Sequence, residues 1–350
     1  MSLDSIIKIS VSTQSKPMAQ AGFGTPIIIA EHEYLKQRVQ SFGNLAELFN
    51  IKNADKEKGL PESAQFQKSA LYRTASAIFS QNPTVPKIKV GKRLSDESIT
   101  VALDEITKSD ADGDFYGVLV VPKDPKKDFM DLSETIATRR LLAGIDLDDS
   151  TLQLAPILKE SEGASRIYAF FKEDPDDYPA AACMGKMLPK SPGSATWANK
   201  ELNGVKKSKF SSSKIEELEK NNVNRHVDIN KVGFTMDGWV MAGQGIDDIH
   251  GIDWLQVRIQ ERLLRLQSIN DKIPLTLKGV DLARCEVLAQ LKEAVTRGFL
   301  AAEPEPYVSV PKIEDISFAN RQKRILPDVY FRARLAGAIH KIEIHGTITI

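Results

Sequence analysis

The sequence predicts a mixed fold, with an α/β region in the middle of the chain and an α+β region in its last third. Three patterns support this prediction. From about residue 87, short apolar strands alternate with amphipathic helices. The last third combines two long helices with strand-like segments, and both ends of the chain alternate apolar with polar residues.

The two ends of the chain have the period-two pattern of half-buried strands. A strand at a sheet edge exposes unpaired backbone N–H and C=O groups, so these segments can pair within their own subunit or add to the sheet of a neighbour. The apolar faces consist of Ile7, Ile9 and Val11 at the amino end and of Ile342, Ile344, Ile348 and Ile350 at the carboxyl end.

Behind the first strand, STQSKPMAQAGFG is typical of a loop or arm because it contains Pro17, Gly22 and Gly24. TPIIIA then predicts a short buried strand, and FGNLAELFN predicts a short helix. A longer helix is predicted in SAQFQKSALYRTASAIFSQNP, where Pro83 stops it.

In the α/β region, KIKV, DFYGVLVV and RIYAFF predict strands. SDESITVALDEITKS predicts a helix with Asp96 as its N-cap, and YPAAACMGKML predicts a short helix. In DLSETIATRRLLAG, Asp131 and Glu134 are placed as a capping box and Gly144 as the helix end. This alternation predicts βαβ units in a mainly parallel sheet that is covered on both faces.

The segment PKSPGSATWANKELNGVKKSKF is typical of a long connection. DWLQVRIQERLLRLQS then predicts a helix with Asp253 and Gln256 as a capping box. VDLARCEVLAQLKEAVTRGFL predicts a second helix that opens at Asp281 and stops at Gly298. YVSVPKI and VYFRARLAGAIHKIEIHGTITI are strand-like, so the last third is predicted to be two helices against a sheet.

The composition argues against several classes of protein. Apolar residues make up 42% and charged residues 27% of the 350-residue chain, as in ordinary folded proteins. The formal net charge is zero, which disfavours electrostatic capture by nucleic acid or anionic membranes. Cys183 and Cys285 are too few for a disulfide scaffold, and the first residues lack a signal-peptide pattern, so we expect folding in the cytoplasm. No apolar run approaches the roughly 18 to 20 residues of a membrane span.

The sequence contains only incomplete matches to known motifs for catalysis or for binding of metals and cofactors. His340 and His345 lie on opposite faces of the predicted strand, so they cannot share a metal. DADGD at 110–114 lacks the spacing of an EF-hand, and SSSK at 211–214 has neither of its companion motifs. We therefore predict no catalytic, metal-binding or cofactor-binding residues.

Four segments resemble the tail sheath proteins of contractile-tailed bacteriophages, of the shorter type without large insertions. They are SQNPTVPKIKVGKR, PGSATWANKELNGV, GWVMAGQGIDDIHGIDWLQVRIQERLL and RARLAGAIHKIEIHGTITI, and the resemblance extends in order over nearly the whole chain. It implies an inner domain built from the ends of the chain and an inserted outer α/β domain. It also implies that strands at about Ile6–Thr13 and Ile339–Ile350 pair with the C-terminal domains of adjacent subunits.

The resemblance suggests five regions: an N-terminal arm (1–24), the first part of the core (25–86), the inserted outer α/β domain (87–190), the C-terminal inner α+β domain (191–335) and a C-terminal arm strand (336–350). The helices expected to face the inner tube, or to lie in the inner domain, fall between Trp254 and Leu300. Their candidate residues are Trp254, Arg258, Arg262 and Arg284.

The function implied by the resemblance is mechanical. Subunits polymerise around a tail tube in an extended, metastable state and then contract to drive the tube through the host envelope. The implied partners are copies of the chain in hexameric rings stacked helically, the tail tube protein, and the baseplate and tail terminator proteins. No nucleic acid, membrane insertion or cofactor is expected, and the location is the virion, after assembly in the bacterial cytoplasm. The alternatives are another phage tail or baseplate component and an oligomeric cytosolic enzyme.

Overall fold

The computed structural model describes residues 22–50 and 66–346. Within them the chain forms two compact units. The larger unit contains residues 22–50, 66–254, 295–301 and 335–346, and the smaller unit contains residues 255–294 and 302–334.

A large mixed sheet forms the centre of the larger unit. In the described residues its order is β2-β3-β1-β4-β5-β6-β7-β8, with β2 and β8 antiparallel at the two edges and the strands between them parallel. The strands are β1 (Thr25–Glu31), β2 (Val39–Phe42), β3 (Ile88–Arg93), β4 (Phe115–Val120), β5 (Leu142–Leu147), β6 (Ile167–Phe171), β7 (Val223–Ile229) and β8 (Val232–Met236). The predicted strands TPIIIA, KIKV, DFYGVLVV and RIYAFF are confirmed.

Helices pack on both faces of this sheet. They are α1 (Leu45–Asn50), α2 (Ala70–Phe79), α3 (Ile99–Ser109), α4 (Pro125–Ile136), α5 (Ala155–Lys159), α6 (Pro179–Met187) and α7 (Ser212–Lys220). On one face, Ile27 and Ile29 join the core formed with α3 and α4. On the other face, α2 and α6 pack together. The two-sided cover explains why Ile27, Ile28 and Ile29 are all fully buried.

Four predicted helix starts are wrong. At two of them, Asp131 and Asp253, an acidic residue three positions before Glu or Gln lies inside the helix and not at its beginning. The N-cap of α3 is Ser98, whose hydroxyl accepts from Val101 N, and not Asp96. Helix α4 begins after its N-cap Asp124, so Asp131 lies within the helix. There the Asp131 carboxylate accepts hydrogen bonds from the first turn of α3 instead of capping its own helix.

The other two wrong starts concern the two long helices, α8 (Ile246–Ile269) and α9 (Leu277–Thr296). Helix α8 begins seven residues before Asp253, which is 1% exposed inside the helix. Helix α9 begins at Leu277 and not at Asp281. The predicted stop at Gly298 is confirmed, since Gly298 has φ +78° and its N–H donates to Val295 O at 2.9 Å.

The smaller unit contains most of α8 and α9 together with a second, two-stranded sheet. Strands β9 (Tyr307–Ser309) and β10 (Tyr330–Arg332) pair antiparallel, with Phe331 opposite Val308. A short helix, α10 (Phe318–Gln322), lies between them in sequence. The α/β and α+β fold class predicted from the sequence is therefore confirmed.

The large sheet extends in sequence beyond the limits predicted for the α/β domain. It takes strands from residue 25 to residue 236, whereas the prediction placed the domain at 87–190. TPIIIA, assigned to the first part of the core, forms β1 near the centre of the sheet, and the β7–β8 hairpin adds the far edge. How the five predicted regions divide the protein in an assembly stays a prediction.

Of the two predicted terminal strands, the structure describes part of the carboxyl-terminal one. The segment Ile6–Thr13 lies outside the described residues, as do residues 347–350. Residues 336–346 are described and form no strand within the single subunit. Pairing of either segment with a neighbour stays a prediction.

Candidate assembly surface

Among the described residues, the contacts that attach the carboxyl-terminal segment, residues 336–346, to the larger unit lie near its beginning. Leu335 forms an isolated antiparallel bridge with Leu300, and Ala336 N–H donates to Phe299 O at 2.9 Å. Four residues further on, His340 Nε2 shares a hydrogen bond with Thr196 Oγ1 at 2.8 Å. These contacts fix the root of the segment.

The described isoleucines of this segment are largely exposed in the single subunit. Ile339, Ile342 and Ile344 are 80%, 75% and 87% exposed, so the predicted pairing residues Ile342 and Ile344 lie in solvent. Burying an isoleucine side chain contributes about 1.5–3 kcal/mol. The segment thus presents an apolar face, and covering this face with another surface lowers the free energy. Ile348, Ile350, Ile7, Ile9 and Val11 lie outside the described residues.

Acidic side chains lie near the root of the carboxyl-terminal segment. The pKa of Asp247 is raised to about 6, mainly by burial and also by the neighbouring Asp248 carboxylate, while a backbone hydrogen bond and His340 oppose the increase. Burial also raises the pKa of Asp237, against the influence of its partner Arg225. The imidazole of His340 therefore lies near the partly buried carboxylates of Asp237, Asp247 and Asp248.

The two-stranded sheet of the smaller unit has two free edges in the described part of the chain. Tyr307, Tyr330 and Phe331 on its strands are 66%, 64% and 49% exposed. A sheet of two strands is marginal alone and becomes stable when further strands or a packed face complete it. Its open edges and exposed rings therefore form a surface that can accept an added strand.

Two of the predicted tube-facing or inner-domain residues, both in α8, already have partners within the subunit. Trp254 is 2% exposed, and the guanidinium of Arg297 lies over its indole ring at 5.2 Å from the ring centroid. Arg258 Nη1 pairs with Glu261 Oε2 at 2.6 Å, one turn further along the helix. The indole of Trp254 is thus a core group of this subunit.

The other two predicted residues stabilise the helices of the smaller unit. Arg262 donates to Gln290 Oε1 at 2.7 Å and to Glu293 Oε2 at 2.8 Å, which joins α8 to α9. Arg284 donates to Asp281 Oδ1 at 2.7 Å within α9. A role of these arginines toward a tube stays a prediction, because their described partners are intramolecular.

The carboxyl ends of the parallel strands are the usual ligand site of open α/β sheets. Here the charged groups at the ends of β1, β3 and β4 pair with one another. Arg93 Nη2 lies 2.8 Å from Asp128 Oδ1, and Lys123 Nζ lies 3.1 Å from Glu31 Oε2. Burial opposes ionisation of Asp128, yet hydrogen bonds from Arg93 and from two backbone amides keep the pKa of this carboxyl below its usual range. These paired charges form an ion-pair network that stabilises the fold, which is a simpler explanation for the lowered pKa of Asp128 than a ligand site.

Other reactive side chains are placed in the core. Cys183 is buried, and burial raises the pKa of its thiol well above the usual range. Burial likewise lowers the pKa of His250 to about 3, so its imidazole stays neutral at pH 7. Among the described residues, no group of three His, Cys, Asp or Glu side chains is placed to hold a metal ion. In the same part of the chain, no helix combines the length and the apolarity needed to cross a membrane.

Comparison with known sequences gives no family, since no family model and no curated protein matches the chain. Comparison with solved structures gives extensive matches. A chain in the cryo-EM structure of the anti-feeding prophage (AFP) baseplate matches with a TM-score of 0.70 and 12% identity, over 98% of each chain. The sheath complex of an extracellular contractile injection system, PVC, in its contracted state matches with a TM-score of 0.66 and 14% identity, over 97% of this chain and 95% of that one.

A crystal structure of a sheath tail protein from Desulfitobacterium hafniense also matches, with a TM-score of 0.55 and 8% identity, over 95% of this chain and 98% of that one. At these identities the likeness establishes the fold. It covers 95% or more of each compared chain, so it is not confined to one shared sheet. The chain has the fold of the contractile-sheath proteins.

Proposed function

We propose that this protein is the structural subunit of a contractile tail sheath that polymerises around an inner tube. The observation that carries the proposal is the carboxyl-terminal segment, which is fixed at its root and exposes 75–87% of Ile342 and Ile344 beyond it. The fold shared with sheath proteins supports the same function. In the proposed assembly, the segment adds as a strand to the two-stranded sheet of another copy.

Strand addition suits a structure that must change shape without coming apart. Backbone hydrogen bonds hold the added strand, and an extended strand rises about 3.3 Å per residue, so the ten residues 341–350 span roughly 33 Å. Gly337, with φ +69°, lies within the fixed root, so the pivot is expected in the residues beyond His340. The bodies of the subunits can then rotate while the strand stays paired.

Contraction requires two packings of the same subunits that differ in free energy. Interfaces between packed bodies are bistable, so a sheath switches in steps from an extended to a contracted state. The proposed partners are copies of the chain in stacked hexameric rings, a tail tube protein, and baseplate and tail terminator proteins. The proposed role is mechanical and non-enzymatic, and it uses no cofactor.

The sheath of a phage virion, assembled in the bacterial cytoplasm, is the first candidate setting. A second candidate is an extracellular injection apparatus. It is favoured by the TM-scores of 0.64–0.70 against AFP and PVC chains, compared with 0.52 and 0.55 against the two sheath tail proteins. Both settings use the same subunit chemistry.

Deletion of residues 339–350 tests the proposal. We expect a folded, soluble monomer that forms no sheath polymers, since the deleted residues include no core side chain of the described subunit. The matched control carries Lys341→Thr and His345→Thr on the polar face of the same segment and should assemble as the wild type does. Tubes formed by the truncated protein would refute strand donation.

A further inference from the structure

The described residues of the smaller unit form an apolar groove. The groove has a volume of about 350 Å³ and lies between the first turns of α9 and the chain that follows β9. Leu277 in its wall is 80% exposed. The apolar lining residues are Leu277, Val280, Val310, Pro311 and Ile313.

We propose that this groove is the seat of Ile342 and Ile344 from a second copy of the chain. The inference rests on the proposed function and specifies where the side chains of the donated segment bind. In their own subunit both side chains are largely exposed, so they occupy no groove there. The segment that bears them is the longest described stretch of exposed, alternating isoleucines.

The sizes agree. At about 30 Å³ per water-sized group, the four side-chain carbons of an isoleucine fill roughly 120 Å³, so two isoleucines fit a groove of about 350 Å³. Ile342 and Ile344 are two positions apart and therefore lie on one face of a strand, roughly 6.6 Å from each other. One groove can receive both without a bend in the strand.

The position of the groove agrees with strand addition. Val310 directly follows the last residue of β9, so the groove continues from the end of the sheet that has free edges. A strand added along β9 would carry its backbone past the sheet and its apolar face into the groove. The strand would thus be held by its backbone and located by its side chains.

The charges permit this placement. Asp281, Lys312 and Glu314 line the groove beside its apolar wall, so both signs of charge are present. When the isoleucine face enters the groove, Lys341 and Glu343 stay on the opposite, solvated face of the strand. No charge on the donated segment has to be buried.

Sedimentation of full-length variants tests whether contact between the groove and the isoleucines of the segment stabilises the assembly. Leu277→Ala should raise the critical concentration for assembly about tenfold, which corresponds to about 1.4 kcal/mol. Ile344→Thr should do the same, and the double variant should be little worse than either single one, since both remove one contact. Leu264→Ala is the control, because Leu264 is 53% exposed on α8 and lies outside the groove. If Leu277→Ala leaves the critical concentration unchanged, Ile344 does not bind in this groove. The same conclusion follows if the fold-increases of the two single variants multiply in the double variant.

Oxidative cross-linking of the full-length chain tests the identity of the occupant. In a Cys285→Ser background, which removes the exposed native thiol, Leu277→Cys combined with Ile342→Cys or Ile344→Cys should give disulfide-linked ladders. If only Ile9→Cys links to position 277, the amino-terminal arm occupies the groove and the proposal is wrong. Tubes without these links refute the seat alone, whereas links without tubes refute the sheath function alone.

Discussion

The buried carboxylate of Asp253 is the most informative position at which to perturb the larger unit. It lies inside α8, is 1% exposed, and accepts a hydrogen bond from Tyr116 Oη at 2.8 Å. It also forms an ion pair with the guanidinium of Arg166. A strand, a helical turn and the start of α8 therefore meet at one side chain.

The expected costs follow from what each substitution leaves behind. Asp253→Ala leaves the hydroxyl of Tyr116, a residue 2% exposed, without a partner and removes the counter-charge of Arg166, so we expect a loss of about 3–5 kcal/mol. Asp253→Asn keeps an acceptor and loses the charge, at a cost of about 1.5–3 kcal/mol. Tyr116→Phe removes only one hydrogen bond and should cost about 1 kcal/mol.

Urea unfolding followed by tryptophan fluorescence measures these changes, because Trp197 and Trp254 are both buried in the larger unit. In the double variant with Tyr116→Phe, Asp253→Asn should cost less than the sum of the single losses, with a coupling of at least about 0.5 kcal/mol. A loss below about 1 kcal/mol for Asp253→Ala would show that the network does not hold α8 to the sheet.

The remaining predictions concern pH, the helix pair and a close packing contact. Burial raises the pKa of Asp146 to about 7, so stability that is present below pH 4 should fall as the pH rises to 7. The loss is at most about 4 kcal/mol, and Asp146→Asn should reduce the difference between urea midpoints at pH 5 and pH 8. Arg262→Ala should lower the free energy of unfolding in urea by about 1–2 kcal/mol, because it removes the hydrogen bonds that join α8 to α9. Arg284→Ala loses only an exposed ion pair within one helix and should cost under about 0.5 kcal/mol. Equal losses for the two would contradict this reading. Gly185→Ala would place a Cβ 2.7 Å from Ile78 O on α2, so the melting temperature should fall by several degrees, and an unchanged value would show that the helices can move apart.

The sequence predicted β1, β3, β4 and β6 of the large sheet and missed β2, β5, β7 and β8. Strand β7 was missed because several of its buried residues are polar. In β7, Asn224 and Arg225 are 0% and 4% exposed. Asn224 donates to Ala169 O and to Trp239 O, and Arg225 pairs with Asp237 and Glu219. These partners are distant in sequence or depend on the fold, so hydropathy alone could not identify the strand.

A glycine also gave a wrong prediction, because glycine occurs both at helix ends and within strands. Gly144 was predicted to end a helix, yet it lies within β5. A Cβ at this position would lie 2.5 Å from the hydroxyl of Tyr168 on the neighbouring strand. The glycine is required by a close approach between strands and not by a helix end, and only the tertiary structure distinguishes the two.

The candidate assembly surface was partly accessible from the sequence. Alternation in AGAIHKIEIHGTITI predicted an apolar face at Ile342 and Ile344, and the structure describes both side chains as exposed. The groove could not be predicted, because Leu277 and Ile313 are brought together only by folding. Periodicity indicates which residues seek a partner, whereas the fold indicates what they can bind.

Electron microscopy of the purified full-length chain tests the central claim most directly. We expect striated cylinders in which residues 341–350 of one subunit lie as a strand beside β9 or β10 of another. Discrete compact oligomers, or cylinders in which this segment folds back on its own subunit, would contradict it.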